Sequence, residues 1–313
     1  MVASALGSSA SRGRRRLALV ASLALVVSLG GVAALTVRLR GGDERTGPVA
    51  GHGVAAAAAT TTPSTAVTGA LPDPAPYPSP PAPPTTTVPL VDGVAFVGDS
   101  LADNLGSGLA TAGSRQPMAV FDDAISGCGV AASGGYRLSG AQYGLSPTCA
   151  AWPDTWTARL RRDRPKVVAI QLGRHEVLDR LYQGRWTNIL DPAYRVYLRG
   201  ELLRGIRIAG AEGAKVVLLT APRFQRPARP GGGQWPENDP ARVEVFNGLL
   251  REVVAEDRNL ALIDLGGRTS PGGTYFDIVD GVAVRSDGVH YSPAGVEWIG
   301  RWLLPQLADL LRP

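Results

Sequence analysis

Five short apolar runs, each followed by a longer stretch with helical spacing, constrain this chain more than any other feature. The runs are GVAFV (93–97), MAVF (118–121), VVAIQL (167–172), VVLLT (216–220) and LALIDL (260–265). Each is almost continuously apolar, as a strand buried on both faces of a parallel sheet must be. Helical patterns lie at about 101–112, 153–164, 193–211, 240–256 and 293–311. This alternation predicts an α/β fold, a three-layer α/β/α sandwich around a five-stranded parallel sheet, over residues 91–313. Such sheets hold ligands at the carboxyl ends of their strands, so the residues just after each run are the ones to read for chemistry.

The chain before residue 91 reads differently. Residues 17–37, LALVASLALVVSLGGVAALTV, form 21 uncharged positions. A membrane-spanning helix needs about 20 apolar residues, whereas a signal-peptide core has about 7–15. Arg12, Arg14, Arg15 and Arg16 precede the segment and only Arg38 and Arg40 follow it closely. By the positive-inside rule the N-terminus stays cytoplasmic and the rest is exported. Residues 1–40 are therefore expected to form a cytoplasmic tip and a single transmembrane anchor. That makes the protein a single-pass membrane protein with its C-terminal domain extracytoplasmic. The alternative is a long-cored signal peptide cleaved near Ala33 and Ala34, which would give a secreted protein. Residues 41–90 are rich in Pro, Thr and Ala and poor in large apolar residues, and are expected to be a disordered linker. Its Pro-rich half is expected to be extended at about 3.1 Å per residue, a tether that holds the domain away from the membrane.

Charge supports this division. The chain has 32 Lys+Arg and 27 Asp+Glu, a formal net charge of +5. Residues 1–50 hold seven Arg against Asp43 and Glu44, which accounts for the whole excess, and the remaining 25 basic and 25 acidic side chains cancel. Net charge therefore gives the domain no reason to bind nucleic acid. The two Cys and the two His of the domain are too few for a Cys-rich zinc site, and no Gly-rich phosphate loop with Lys is present. No metal and no cofactor is expected.

The strand ends carry the chemistry. Gly98-Asp99-Ser100 follows the first run, and Ala124-Ile125-Ser126-Gly127-Cys128-Gly129 follows the second. Gly173-Arg174-His175-Glu176 follows the third, and Asp287-Gly288-Val289-His290 precedes the last helix. Singly, each has an ordinary reading, such as a strand-to-helix turn with Ser or Asp as its N-cap. Together and in this order they resemble the SGNH hydrolase (GDSL esterase) family, over nearly all of 91–313. FVGDSLADN is similar to the family's first block, AISGCGV to its second and SDGVHYSPAG to its last. The resemblance implies an SGNH, flavodoxin-like fold. It also implies Ser100 as nucleophile, Asp287 and His290 as its triad partners, and Gly127 as a backbone donor to the oxyanion. The third block departs from the family's Gly-x-Asn-Asp: LGRHEVLDR puts His175 at the Asn position and Glu176 at the acid. That form is similar to Gly-Arg-Trp-Glu in SGNH domains linked to membrane acyltransferases of high-G+C bacteria. The paired Cys are also similar to that subgroup.

The chemistry agrees with the resemblance. Serine attack on an ester needs a histidine base and a carboxylate that fixes the histidine tautomer. Asp287 and His290 are three residues apart in one loop, the spacing that favours His290 over His175 as the base. Ser292-Pro293 has the form of an N-cap followed by Pro at the first helical position. The oxyanion is assigned to the N–H groups of Ser100 and Gly127, with His175 as a neutral third donor or Arg174 as a charged one. A plainly packed His175 is the alternative. Cys128 and Cys149 lie in the exported part, where two Cys usually pair; their bridge would staple the segment beside Gly127. Trp152, Trp156, Trp298 and Trp302 stand at i, i+4 spacing and are expected to pack helices onto the sheet. Trp186 and Trp235 lie in loops after strands and are candidate substrate-binding residues beside Arg174, with loop packing as the alternative. Arg223, Arg226 and Arg229 form a basic stretch near the site.

The chain is thus expected to be an exported, membrane-tethered serine esterase or O-acyltransferase acting on acyl esters. Its substrate would be an acylated small molecule or cell-envelope glycan, and a membrane acyltransferase of the envelope is a candidate partner. The alternative is an SGNH-fold binding or scaffold module that lost activity through the change from Asn to His175.

Overall fold

The structure is a computed structural model that describes residues 89–111 and 118–312. The expected anchor at 17–37, the linker up to residue 88 and His52 lie outside the described residues. Among the described residues no helix is long and apolar enough to cross a membrane. In chain order the elements are β1 (Val91–Gly98), α1 (Ser100–Thr111), β2 (Ala119–Asp122), β3 (Tyr136–Leu138), β4 (Ala141–Tyr143), α2 (Pro147–Ala150) and α3 (Trp152–Asp163). There follow β5 (Pro165–Gln171), β6 (Asp179–Tyr182), β7 (Arg185–Thr187), α4 (Pro192–Gly210), β8 (Lys215–Leu219) and α5 (Pro240–Glu256). The chain closes with β9 (Leu260–Ile263), α6 (Leu265–Thr269), β10 (Ile278–Val279), β11 (Val282–Ala283) and α7 (Pro293–Asp309).

The five apolar runs form the central sheet, all parallel, in the order β2-β1-β5-β8-β9. Its middle is fully buried: Val94, Ala95, Phe96, Val97, Val167, Val168, Ala169, Val217, Leu218 and Leu219 have no exposed surface. The strand order reverses direction after β2. Right-handed crossovers therefore place α1 on one face and α3, α4 and α5 on the other, and α7 packs beside α1. This is the three-layer α/β/α sandwich that the sequence implies.

Local chemistry sets the helix starts. Asp191, Asp239 and Ser292 cap α4, α5 and α7 by accepting first-turn N–H groups, and each is followed by proline. Proline gives up no useful N–H at that position and its fixed φ suits the helix. The paired tryptophans pack as their spacing predicts: Trp152, Trp156 and Trp298 are buried and Trp302 lies half-buried against the core.

One element has no signature in the sequence pattern. A four-stranded antiparallel sheet, β4-β3-β6-β7, lies outside the main sheet. Its strands are YRL, AQY, DRLY and RWT, too short and too mixed in polarity to stand out as apolar runs. The β3–β4 hairpin turns through Ser139 and Gly140, at φ 49° and 80°, and lies between Cys128 and Cys149, which are bonded to each other. A bridge closing a loop of this length stabilises by about 3 kcal/mol. The double variant Cys128→Ser/Cys149→Ser is therefore expected to melt roughly 6–12 °C lower than wild type by calorimetry.

Candidate active site

Ser100 is the first residue of α1 and follows β1 across Gly98. A Cβ on Gly98 would sit 1.8 Å from the Gln171 carbonyl oxygen, and its φ is +145°. Only glycine lets the strand turn into the helix this close to β5. The Ser100 hydroxyl therefore stands at the carboxyl edge of the sheet, at the positive end of the α1 dipole.

His290 and Asp287 meet it there. His290 Nε2 lies 2.9 Å from Ser100 Oγ, and His290 Nδ1 lies 2.9 Å from Asp287 Oδ2. Asp287 Oδ1 also accepts the N–H groups of Val289 (2.9 Å) and His290 (2.8 Å). Burial alone would raise the Asp287 carboxyl, but the N–H and ring of His290, with the N–H of Val289, hold it down at about 2. An ionised Asp287 favours a proton on Nδ1 and leaves Nε2 to accept from the serine. Three hydrogen bonds fix this loop. The Tyr291 N–H donates to Asn104 Oδ1 (2.8 Å), one turn along α1 from Ser100. The buried Arg285 donates to the Val289 carbonyl and to Thr269 Oγ1, both at 3.3 Å.

The N–H groups of Ser100 and Gly127 have no acceptor among the described residues. Gly127 is exposed, with φ +78°. Behind them, two fully buried carboxylates tie the three strand-end loops together. Asp99 accepts from Leu101 N–H (2.9 Å) and Arg174 N–H (3.2 Å). Glu176 accepts from Gly173 N–H (2.8 Å) and, across the sheet edge, from Val130 N–H (3.0 Å). Burial and the neighbouring Glu176 push the Asp99 carboxyl up to about 7, and burial raises Glu176 as well. Close packing here leaves Gly129 no room for a side chain: a Cβ would lie 2.1 Å from Glu176 Oε1 and 2.7 Å from His175 Cβ.

His175 is buried, and its Nδ1 has no hydrogen-bond partner. Burial, then the charges of Arg180, Arg174 and His290, push its imidazole down to about 3, so the ring is neutral. Arg174 is turned away from the role of an open charged donor. Its side chain is buried, Nη1 donates to the Glu237 carbonyl (3.1 Å), and Nη2 lies 3.6 Å from Glu237 Oε1. Trp186 is half-buried with the Arg137 guanidinium 4.0 Å over its ring. Trp235 is half-buried against Gly140, with Arg229 5.7 Å from its ring centroid. Of the basic stretch, Arg226 lies nearest the triad, 3.9 Å from Asp287 Oδ2, while Arg223 pairs with Glu244. Among the described residues no group of three His, Cys, Asp or Glu is placed to hold a metal.

A family profile described as "SGNH domain (fused to AT3 domains)" matches residues 71–305. The chain belongs to this family. It is an SGNH-type enzyme, an ester hydrolase or O-acyltransferase. No curated protein matches the chain. Among solved structures, it is similar to a GDSL-like lipase of Bacteroides thetaiotaomicron (14% identity, covering 70% of this chain and 88% of that one, TM-score 0.44). It is also similar to the lipopolysaccharide acetyltransferase periplasmic domain of Salmonella ser. Paratyphi A (10%, 69% and 84%, TM-score 0.43). A carbohydrate acetylesterase family member of Sinorhizobium meliloti is similar in the same way (16%, 70% and 99%, TM-score 0.43).

Three supports of this SGNH site, Asn104, Asp99 and Glu176, are not marked as such by the sequence. Asn104 was the most accessible of them, since it stands four residues after Ser100 and so on the same side of α1. Asp99 and Glu176 were visible only as motif letters, because their partners are backbone groups that no sequence pattern marks. Gly129→Ala is expected to cost about 1–3 kcal/mol in urea unfolding through overpacking against Glu176. Gly144→Ala, where a Cβ meets nothing within 4 Å, serves as the comparison and is expected to unfold like wild type.

Proposed function

We propose that the protein is an exported, membrane-tethered serine esterase or O-acyltransferase that removes or transfers acyl groups of cell-envelope glycans through an acyl-Ser100 intermediate. The observation that carries the chemistry is the continuous relay Ser100 Oγ–His290 Nε2 and His290 Nδ1–Asp287, both at 2.9 Å. Ser100 Oγ attacks the ester carbonyl carbon and passes its proton to His290 Nε2. Asp287 accepts the hydrogen bond from Nδ1–H and stabilises the imidazolium. The oxyanion gathers the N–H groups of Ser100 and Gly127, with a neutral His175 in the place where the family has Asn. When the tetrahedral intermediate collapses, His290 returns the proton to the leaving alcohol and the acyl group stays on Ser100. A water or glycan hydroxyl then gives its proton to His290 and takes the acyl group, and Ser100 regains its hydrogen.

Export and tethering rest on the uncharged run at 17–37, its flanking arginines and the linker after it. The Cys128–Cys149 bridge agrees with an oxidising compartment. The envelope reading draws on this placement and on a family described by its fusion to AT3 domains. A membrane acyltransferase is the partner this reading implies.

A fluorophosphonate reagent is expected to label wild type at Ser100. Ser100→Ala and His290→Ala are each expected to lose vinyl acetate turnover by at least about 10³-fold. A wild type that neither labels nor turns over a short ester would sink the proposal. Fractionation tests the tether: the intact chain is expected in the membrane fraction, and a soluble exported form beginning near Leu35 would overturn that part. The pH profile tests His175. Its imidazole is depressed to about 3, so it is already neutral where the enzyme works. His175→Asn is therefore expected to leave the acid limb of kcat/KM unmoved, whereas His175→Ala lowers kcat by about 10²-fold.

A further inference from the structure

The exposed ring of Tyr143 ends an aromatic file that leads to His175. Tyr143 of β4 is paired in register with Tyr136 of β3, and Tyr136 with Arg180 of β6. Directly opposed residues project from one face of a sheet, so these three side chains share it. Tyr136 meets the His175 ring edge-on, with centroids 5.8 Å apart and planes at 78°. Tyr143 stacks on Tyr136 at 5.2 Å and 18°. Arg180 anchors the same face to the site, donating to the His175 carbonyl (3.3 Å) with its guanidinium 5.0 Å from the Tyr136 ring centroid. Tyr143 itself stays 46% exposed although one ring face lies against Tyr136.

The hairpin that carries this ring is held firmly. The Cys128–Cys149 bond brackets it, and at its tip the Ser139 N–H donates to Glu237 Oε1 (2.7 Å), the carboxylate that pairs with Arg174. A rigid aromatic face gives contact area at little entropic cost. Trp186 and Trp235 are less open, since each has an arginine over its ring.

We infer that Tyr143 is a stacking platform for a pyranose ring of the acylated glycan, set beyond His175 and away from the scissile ester. The ligand class rests on the proposed glycan-ester activity. The apolar C–H face of the sugar lies on the exposed ring of Tyr143, while the acyl group reaches Ser100. Tyr143 touches no reacting atom, so it acts on substrate affinity and leaves the chemical step alone.

Two measurements on Tyr143→Ala and Tyr143→Phe test this. In the first, kcat and KM are compared for an acetylated xylo-oligosaccharide and for vinyl acetate, which has no ring. In the second, binding of the same oligosaccharide to the Ser100→Ala protein, with and without each Tyr143 change, is measured by calorimetry and needs no turnover. Tyr143→Ala is expected to raise KM for the oligosaccharide and weaken its binding about fivefold. Its kcat on the oligosaccharide and both constants for vinyl acetate should stay unchanged, and Tyr143→Phe should behave like wild type. Unchanged binding in Tyr143→Ala, no binding even with Tyr143 intact, or an equal loss on vinyl acetate would each overturn the inference. Failure of the esterase proposal would appear separately, as wild type inactive on both substrates, and calorimetry would still decide on the platform.

Discussion

Two carboxylates with no exposed surface, Asp99 and Glu176, hold the working edge of this domain together. Each is aimed at backbone N–H groups of loops that the chain would otherwise leave independent. Asp99 joins the turn bearing Ser100 to the loop bearing His175, and Glu176 joins that loop to the one bearing Gly127. Burying such groups is costly unless they are hydrogen-bonded, and here the loops supply the bonds. The cost is visible in how far burial pushes both carboxyls up. The three oxyanion donors proposed for this site stand on three separate loops and need some such clasp, because misplacement by a fraction of a bond length weakens the stabilisation. This is a buried polar network whose satisfaction sets the relative positions of the reacting groups.

The triad has its own supports. Asp287 receives two backbone N–H groups as well as the histidine ring, so the carboxylate is held by the backbone independently of the ring it orients. Asn104 then ties the histidine loop to the helix that bears Ser100. Helix α7, which begins just after this loop, packs beside α1. The same helix pair thus sets both ends of the Ser100–His290 contact.

Much of this was legible in the sequence, for physical reasons that differ between parts. The central strands announced themselves because a strand buried on both faces must be apolar throughout. The helix starts followed from Asp-Pro and Ser-Pro pairs, and the reacting residues from their positions at strand ends. The outer sheet did not show: Tyr136, Arg137 and Leu138 carry no period that separates a strand from a loop. Its strands are held by pairing and by contacts with the His175 loop. Arg174 was visible as a charge beside the site, but only the fold shows that Glu237 claims it. The stacking of the exposed Tyr143 on Tyr136 depends on the register of their strands, and register between short strands is written in no local pattern.

The contact between Ser100 and His290 joins residues 190 positions apart. A ribosome makes Ser100 well before His290, and four crossovers of the sheet separate them. Until β9 and α7 have found their places, the serine has no partner to take its proton and remains an ordinary alcohol at the end of a strand. Under the proposed mechanism reactivity is therefore switched on by completion of the fold, and a chain that stops short of α7 carries an inert hydroxyl rather than a stray acyl acceptor.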